Sequence, residues 1–303
     1  GWKMHVVESG QVDNVADDED HAFQQIRDFL SYLPNTVREV APRVQTGDDP
    51  QRRPQELLDF IPTNRRQGYD ARALIRHVVD NGDFFEMREL YASGLITGFA
   101  RLDGWSVGVI GSDPMSKAGA MDGNAADKYT HFVDLCDTFN LPLLIFLDMP
   151  GFMLGSHAER IATMRRGARA LIASAECEVP KIEFMVRKSY GVAADAPNSI
   201  GLPNSLNLRF GWPSGEWGGI PIEGGVAAAY RREIAEADDP EAHRAAIEER
   251  LLRLRSPFRA AHRGDVVDLI DPRETRALAC RFINLAQPKL RELAQRPKRA
   301  VRP

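Results

Sequence analysis

The chain has 303 residues, a length that fits one large α/β unit or two smaller domains. Its formal net charge of −4 argues against a nucleic-acid-binding protein, and its 43% hydrophobic content is ordinary for a globular protein. The longest fully apolar run, Leu141 to Leu147, is too short to cross a bilayer, and the first residues lack the pattern of a signal peptide. Three scattered cysteines without paired spacing predict buried thiols in a reducing compartment, so we expect a cytoplasmic protein.

The first third of the sequence predicts two helices, a linker and the start of a sheet. Apolar residues at helical spacing predict a helix over residues 16–33, whereas the stretch 37–66 shows little periodicity and indicates an extended linker. A second helix is expected to run through Val79 and to end at an Asn-Gly turn. The dipeptide Asp103–Gly104 lies between two β-rich runs, which predicts a hairpin with a type I′ turn.

The middle of the sequence alternates helices and strands. We expect Asn124 to cap one helix, and the continuous apolar run that ends at Asp148 predicts a strand covered on both faces. A long helix from His157 to Cys177 and a strand over Lys181–Arg187 then predict a right-handed crossover between parallel strands. The apolar residues of the long helix define its predicted buried face: Ile161, Met164, Ala168, Leu171, Ile172 and Ala175.

The last third predicts a third parallel strand near residues 205–210 and two or three amphipathic helices over residues 222–255. A late strand and a final helix from Arg273 follow. The terminal sequence QRPKRAVRP is basic and contains prolines, so we expect a frayed, solvated end rather than a binding arm. The whole pattern indicates an α/β protein.

Three successive strands of this pattern end in turns of small residues. These turns lie at Asp148–Gly155, Ser189–Asp195 and Gly211–Gly219. Ligands of open α/β sheets bind beyond the carboxyl ends of the strands. The three turns therefore predict one shared pocket.

The candidate pocket carries no common catalytic motif: the sequence contains no G-x-S-x-G, Walker A, G-x-G-x-x-G or H-E-x-x-H pattern. His131 and His157 are expected to have surface roles. A turn of tiny residues can instead present backbone N–H groups to a developing oxyanion, each worth about 3 kcal/mol of transition-state stabilisation. The alternative is a tight strand-to-helix joint without a catalytic role. Asp148 is a candidate for a catalytic base or for a cap of the next segment. Asp195 is a candidate for a residue that shapes the substrate pocket or for a helix cap.

Three long stretches of the sequence carry a family resemblance. They read MDGNAADKYTHFVDLCDTFNLPLLIFLDMPGFMLG, RRGARALIASAECEVPKIEFMVRKSYGVAAD and SPFRAAHRGDVVDLIDPRETR. Through them, and over nearly its whole length, the chain resembles the carboxyltransferase (β) subunit of biotin-dependent acyl-CoA carboxylases of the propionyl-CoA and acetyl-CoA type. The resemblance implies a crotonase-like fold built from stacked ββα turns.

The resemblance also implies a domain organisation, because subunits of this family have two related halves. Residues 1–36 would be the last helix of the N-terminal half, 37–66 the linker, 67–290 the C-terminal carboxyltransferase domain and 291–303 the basic tail. The N-terminal half, which holds most of the CoA contacts in the family, would then lie outside this chain. The implied partners are that half, a biotin carboxylase, a biotin carboxyl carrier and further copies of the chain, since the family forms hexamers.

The family's reaction moves a carboxyl group from carboxybiotin to the α-carbon of an acyl-CoA, and it requires no side-chain base. The cofactor is biotin on a partner carrier domain, and the acyl-CoA is the substrate. Carried over by position, the backbone amides of Val192 and Ala193 would stabilise the biotin ureido oxyanion. Asp195 would match the position that helps to select the acyl chain, where the propionyl type carries Asp.

Three further positions are implied as biotin-binding residues, namely Gly151, Phe152 and Gly191. The chain departs from the family pattern at Val192, where Gly is usual, and at Ala194, where Tyr is usual. A β-branched residue tolerates fewer backbone conformations than Gly, so the departure at Val192 puts the geometry of the oxyanion hole in question.

Three functions remain open from the sequence. The first is the biotin-side half of a carboxyltransferase that acts on propionyl-CoA or acetyl-CoA and needs an N-terminal half for activity. The second is a biotin-dependent acyl-CoA decarboxylase subunit with the same fold. The third is a non-catalytic assembly subunit, which the residues at Val192 and Ala194 favour.

Overall fold

The computed structural model of the chain describes residues 1–195, 197, 206–219, 222 and 225–302. The predicted start of a strand at Ser205 therefore lies outside the described residues. The strands are β1 Phe84–Met87, β2 Leu95–Leu102, β3 Trp105–Ser112, β4 Leu143–Met149, β5 Lys181–Tyr190, β6 Asn207–Gly211, β7 Glu216–Gly218 and β8 Asp268–Leu269. The helices are α1 Glu19–Ser31, α2 Ala71–Val78, α3 Gly123–Thr138, α4 Ser156–Arg160, α5 Thr163–Glu176, α6 Gly191–Asp195, α7 Gly225–Ala229, α8 Arg231–Ala235, α9 Pro240–Leu254, α10 Pro257–Arg263 and α11 Thr275–Leu293.

Within the described part of the chain, one mixed sheet contains eight strands. Strands β1, β2 and β3 are antiparallel, and β3, β4, β5, β6 and β8 then follow side by side in parallel. The ten-residue strand β5 pairs with β6 along its first half and with β7 along its last three residues. The end of β5 consequently lies between β4 and β7, at the centre of the carboxyl edge of the sheet.

Strand β4 shows why the sheet is covered on both faces. All of its residues are buried, and its side chains alternate between two apolar clusters. Leu143 and Ile145 pack into the cluster under α3, whereas Leu144 and Phe146 pack into the cluster that includes residues of α2 and α11. The strand predicted from its continuous apolar run and the α/β class are both confirmed.

The predicted hairpin between β2 and β3 is also confirmed. Leu102 pairs with Trp105, and the two residues between them have positive φ angles, 50° at Asp103 and 78° at Gly104. Type I′ turns require this conformation at both central residues. The Asn-Gly dipeptide after α2 turns in a similar way, with φ 54° at Asn81 and 71° at Gly82.

The long helix predicted over 157–177 is wrong in two respects. It is broken into α4 and α5 at Ala162, which has a φ of 55°. Its predicted apolar face also points outward, because Met164 and Ile172 are 56% and 53% exposed. Small residues of α5 such as Gly167 and Ala170 are buried instead, so that a face of small residues lies against α3 and the large apolar residues remain outside.

Two smaller predictions are corrected at either end of α3. Its cap is Asp122 rather than Asn124, because the helix begins at Gly123, two residues earlier than a cap at Asn124 implies, and the Asp122 carboxylate accepts a hydrogen bond from the Ala125 amide at 2.8 Å. The basic tail is not a frayed end. Arg302 forms an ion pair with Asp134 on α3 at 2.7 Å, and Lys298 donates to the carbonyl of Asp137 at 3.3 Å, so residues 298–302 lie along this helix.

Candidate active site at the end of strand five

The turn after β5 is a short helix rather than an open loop. Gly191 has a φ of 65°, a backbone conformation that favours glycine. The next residues form α6. The first N–H groups of an α-helix have no acceptor within that helix. The amides of Val192 and Ala193 lie in this first turn.

The side chains of α6 are small or point outward. Ala193 and Ala194 are buried, with 0% and 1% exposure, and belong to the apolar cluster under α3. The Val192 side chain is 57% exposed. Val192 is not among the residues with positive φ, and this backbone conformation is open to valine. The β-branched side chain is therefore compatible with this helical turn, whereas Ala193, the second predicted donor, is fully buried.

A cavity of about 630 Å³ opens beside this turn. Its wall combines the exit of β5, residues of β6 and β7, and the end of α10. Three of the residues predicted from the sequence line it, namely Gly191, Val192 and Asp195. The second and third small-residue turns therefore share one cavity, since Trp217 and Gly219 also belong to its wall.

Asp195 lies beside a buried ion pair that the sequence did not reveal. Its carboxylate is 74% exposed and stands 3.7 Å from Nη1 of Arg209, which lines the same cavity. Arg209 in turn lies 3.0 Å from the fully buried carboxylate of Glu183. Burial raises the pKa of Glu183 although the guanidinium of Arg209 opposes the shift. The sequence offered one indication of this ion pair, namely a basic residue, Arg209, in the otherwise largely apolar strand Asn207–Gly211.

The first small-residue turn contributes differently from the other two. Gly151 has a φ of 123° and lies behind the end of β5, where its Cβ would stand 3.5 Å from the carbonyl oxygen of Tyr190. Phe152 is half-buried and its ring packs against Gly167 of α5. Neither residue lines the cavity that contains Val192 and Asp195.

Asp148, at the end of β4, acts as a structural anion. It is 1% exposed, and its two oxygens accept hydrogen bonds from Nε of Arg187 and from the Lys188 amide, each at 3.0 Å. Because both donors belong to β5, this carboxylate joins the ends of the two strands. It is not a base facing the cavity, and His131 and His157 are also absent from the cavity wall as far as the described residues show.

Comparison with known proteins identifies the family. A model of the carboxyl transferase domain matches residues 1–301. The chain belongs to this family. Similar proteins include the carboxyltransferase subunit of propionyl-CoA carboxylase from Haloferax mediterranei, which is 39% identical over 91% of the chain and 53% of its own length. The methylmalonyl-CoA carboxyltransferase 12S subunit from Propionibacterium freudenreichii subsp. shermanii is 40% identical over 91% of the chain and 52% of its own length.

A solved structure of transcarboxylase 12S, with methylmalonyl-coenzyme A and methylmalonic acid bound, matches all of this carboxyl transferase domain with a TM-score of 0.85 and 37% identity. The match covers 56% of that chain. The crotonase-like fold expected from the resemblance is therefore confirmed. The domain spans about half the length of the curated relatives that it matches. No helix in the described ranges is both long and apolar enough to span a membrane.

Proposed function

We propose that this domain supplies the biotin-side half of a carboxyltransferase that moves a carboxyl group from carboxybiotin to the α-carbon of a short acyl-CoA. Propionyl-CoA is the favoured substrate and acetyl-CoA the second choice. The observation that supports this proposal is the first turn of α6, where Gly191 and Val192 line a cavity of about 630 Å³. Membership of the carboxyl transferase family supports this assignment.

The residues of the turn fit a urea-like oxygen that gains negative charge. When bound, biotin supplies the carboxyl group and a ureido anion that accepts the α-proton of the acyl-CoA. The backbone amides of Val192 and Ala193 would donate to the ureido oxygen, and the N-terminal end of a helix favours negative charge. Gly191 gives the backbone the positive φ that starts this turn.

The remaining site residues have supporting roles in this proposal. Asp195, at the rim of the cavity, would help to select the acyl chain, and Arg209 would hold its carboxylate in place. Gly151 and Phe152 would act from behind the turn by supporting the end of β5, and Gly191 would contact biotin directly. This division follows from the cavity wall, which contains Gly191 but neither of the other two.

The proposal extends to the parts of the enzyme that lie outside this chain. An N-terminal half would bind the CoA thioester, and a biotin carboxylase and a biotin carboxyl carrier would deliver carboxybiotin. We further propose the domain boundaries 1–36, 37–66, 67–290 and 291–303, a homohexamer, and a cytoplasmic location. Buried free thiols support the reducing compartment, because all three cysteines are at most 3% exposed.

A reconstitution tests the function. The chain is mixed with a homologous N-terminal half, carboxylated biotin carrier and propionyl-CoA, and methylmalonyl-CoA is measured with and without each component. We expect product only when both halves are present, because in this proposal the N-terminal half binds the CoA thioester. Loss of CO₂ from methylmalonyl-CoA without forward transfer would indicate the decarboxylase instead. An intact assembly that catalyses neither reaction would contradict the proposal and indicate an assembly subunit.

A further inference from the structure

A hydrogen-bonded cluster of four side chains lies behind the turn that carries the candidate donors. The hydroxyl of Tyr190 donates to Oε2 of Glu216 at 2.6 Å, and Nη1 of Arg255 donates to the same hydroxyl at 2.9 Å. Nη2 of Arg65 donates to the same Glu216 oxygen at 2.6 Å. We call these four residues the Tyr190 clamp. They come from β5, β7, the end of α9 and the 37–66 linker.

The clamp is buried at its centre. Tyr190 is 0% exposed and Arg255 is 4% exposed, and the Arg255 guanidinium lies over the tyrosine ring, 4.7 Å from its centroid. Burial and the adjacent Glu216 carboxylate raise the pKa of the Tyr190 phenol, so the hydroxyl keeps its proton and remains a donor. Hydrogen bonds to charged groups are about twice as strong as neutral ones. Glu216 and Arg255 thus hold the tyrosine directly, and Arg65 holds Glu216.

The position of Tyr190 connects the clamp to the site. Tyr190 is the last residue of β5, and the next residue, Gly191, starts the turn that carries the Val192 and Ala193 amides. The clamp residue Glu216 begins β7, which pairs with the final three residues of β5. The backbone of Tyr190 is therefore joined directly to the first residue of α6, and we expect a change in its position to displace this turn.

We propose that Tyr190, Glu216, Arg255 and Arg65 are positioning residues that hold the first turn of α6, and with it the Val192 amide, at the cavity wall. Arg65 brings the linker into this arrangement, so the segment before the domain helps to set the geometry of the site. The inference rests on the proposed function for its catalytic consequence. Its structural content, a locally fixed strand exit, stands independently of activity.

Hydrogen–deuterium exchange of the chain alone tests the structural content. Tyr190→Phe removes only the hydroxyl, and we expect amides in residues 186–195 to exchange about tenfold faster while those of α3 keep their rates. Arg65→Met should produce a smaller local effect, and it serves as the second variant because its side chain is 29% exposed and its loss is compatible with folding. Tyr230→Phe, a tyrosine outside the cavity, is the matched control and should change neither segment.

Two different exchange results would contradict the inference. Unchanged exchange at 186–195 in both clamp variants overturns the inference, and so does an equal acceleration across the whole chain, which would mean a general loss of stability. The reconstituted enzyme provides a separate kinetic test. Tyr190→Phe should lower kcat about tenfold with little change in KM for acyl-CoA. Arg65→Lys should retain more activity than Arg65→Met. Failure of wild-type transfer would refute the proposed function while the exchange result still decides the clamp.

Discussion

Two polar regions of this molecule differ in whether their hydrogen-bonding groups border a cavity or are bonded within the protein. At the end of β5, the proposed donors are backbone amides in a turn whose side chains are small and buried, as in Ala193 and Ala194, or point outward, as in Val192. At the other region, where α2, α11 and the β2–β3 turn meet, Arg276 and Asp80 are 0% and 1% exposed and form an ion pair at 2.8 Å. The contrast separates a region where polar groups border a cavity from one where polar groups are bonded only to each other.

In the Arg276–Asp80 region, both charged side chains have several hydrogen-bond partners within the protein. Asp80 also accepts hydrogen bonds from the amides of Asp103 and Gly104, and Arg276 donates to the Val78 carbonyl. Each charge is therefore satisfied within the protein and has no capacity left for a ligand. At the end of β5, by contrast, Gly191 and Val192 line a cavity, and the first N–H groups of a helix have no acceptor within that helix.

The largest expected effect concerns the buried ion pair. Arg276→Met leaves Asp80 buried without its cation and should lower the free energy of unfolding by about 3–5 kcal/mol, as measured by urea denaturation. The matched control is Arg232→Met, which breaks the exposed pair with Glu236 and should cause no measurable change. Equal effects of the two substitutions would show that the buried cluster is not a structural centre.

The next effect concerns the amides. Val192→Pro removes one backbone donor at a helix start that tolerates proline, so the fold should persist while kcat for carboxyl transfer falls about 100- to 1,000-fold. Val192→Ala changes the exposed side chain at the same position but keeps the N–H, and its activity should stay near wild type. If the alanine variant loses as much activity as the proline variant, the side chain and not the backbone is responsible.

A smaller effect is expected at the rim of the cavity. Asp195→Ile in the assembled enzyme should change the ratio of propionyl-CoA to acetyl-CoA carboxylation about tenfold, the size of discrimination that one methylene provides. Asp265→Asn alters another carboxylate of the same wall, which pairs with Arg263, and should leave that ratio unchanged. A ratio that is insensitive to Asp195 would remove it from the specificity site.

The smallest effect tests the corrected helix start. Asp122→Ala removes the side-chain acceptor of the Ala125 amide and should lower the free energy of unfolding by about 1 kcal/mol. Asn124→Ala leaves this cap in place and should cost less. The reverse order would restore Asn124 as the cap of α3.

Local sequence patterns predicted the parts of the fold that depend on neighbouring residues. The Asp103–Gly104 hairpin and the buried strand β4 follow from turn chemistry and from a continuous apolar run, and both are confirmed. The outward face of α5 could not be predicted. Helical periodicity shows which residues share a face, but it does not show that small residues such as Gly167 permit a closer approach to α3 than Met164 would.

The candidate site also contains features that the sequence predicts and features that it does not. The small-residue turn at 191–195 is visible in the sequence, and three of its predicted residues do line the cavity. Arg209 and the clamp residue Arg65 were not predicted, because their partners are distant in sequence: Arg65 meets Glu216 across 151 positions. Such pairs carry no local signal, and only the folded chain brings them together.

The central claim is that the Val192 and Ala193 amides face a urea-like oxygen in the cavity. The most direct measurement is an NMR titration of the ¹⁵N-valine- and ¹⁵N-alanine-labelled chain with biotinamide, with Val192→Pro used to assign the Val192 signal. We expect saturable downfield shifts of the amide protons of Val192 and Ala193, since each would gain a hydrogen-bond acceptor. Signals of these two amides that stay in place at saturating biotinamide, while other residues respond, would contradict the claim.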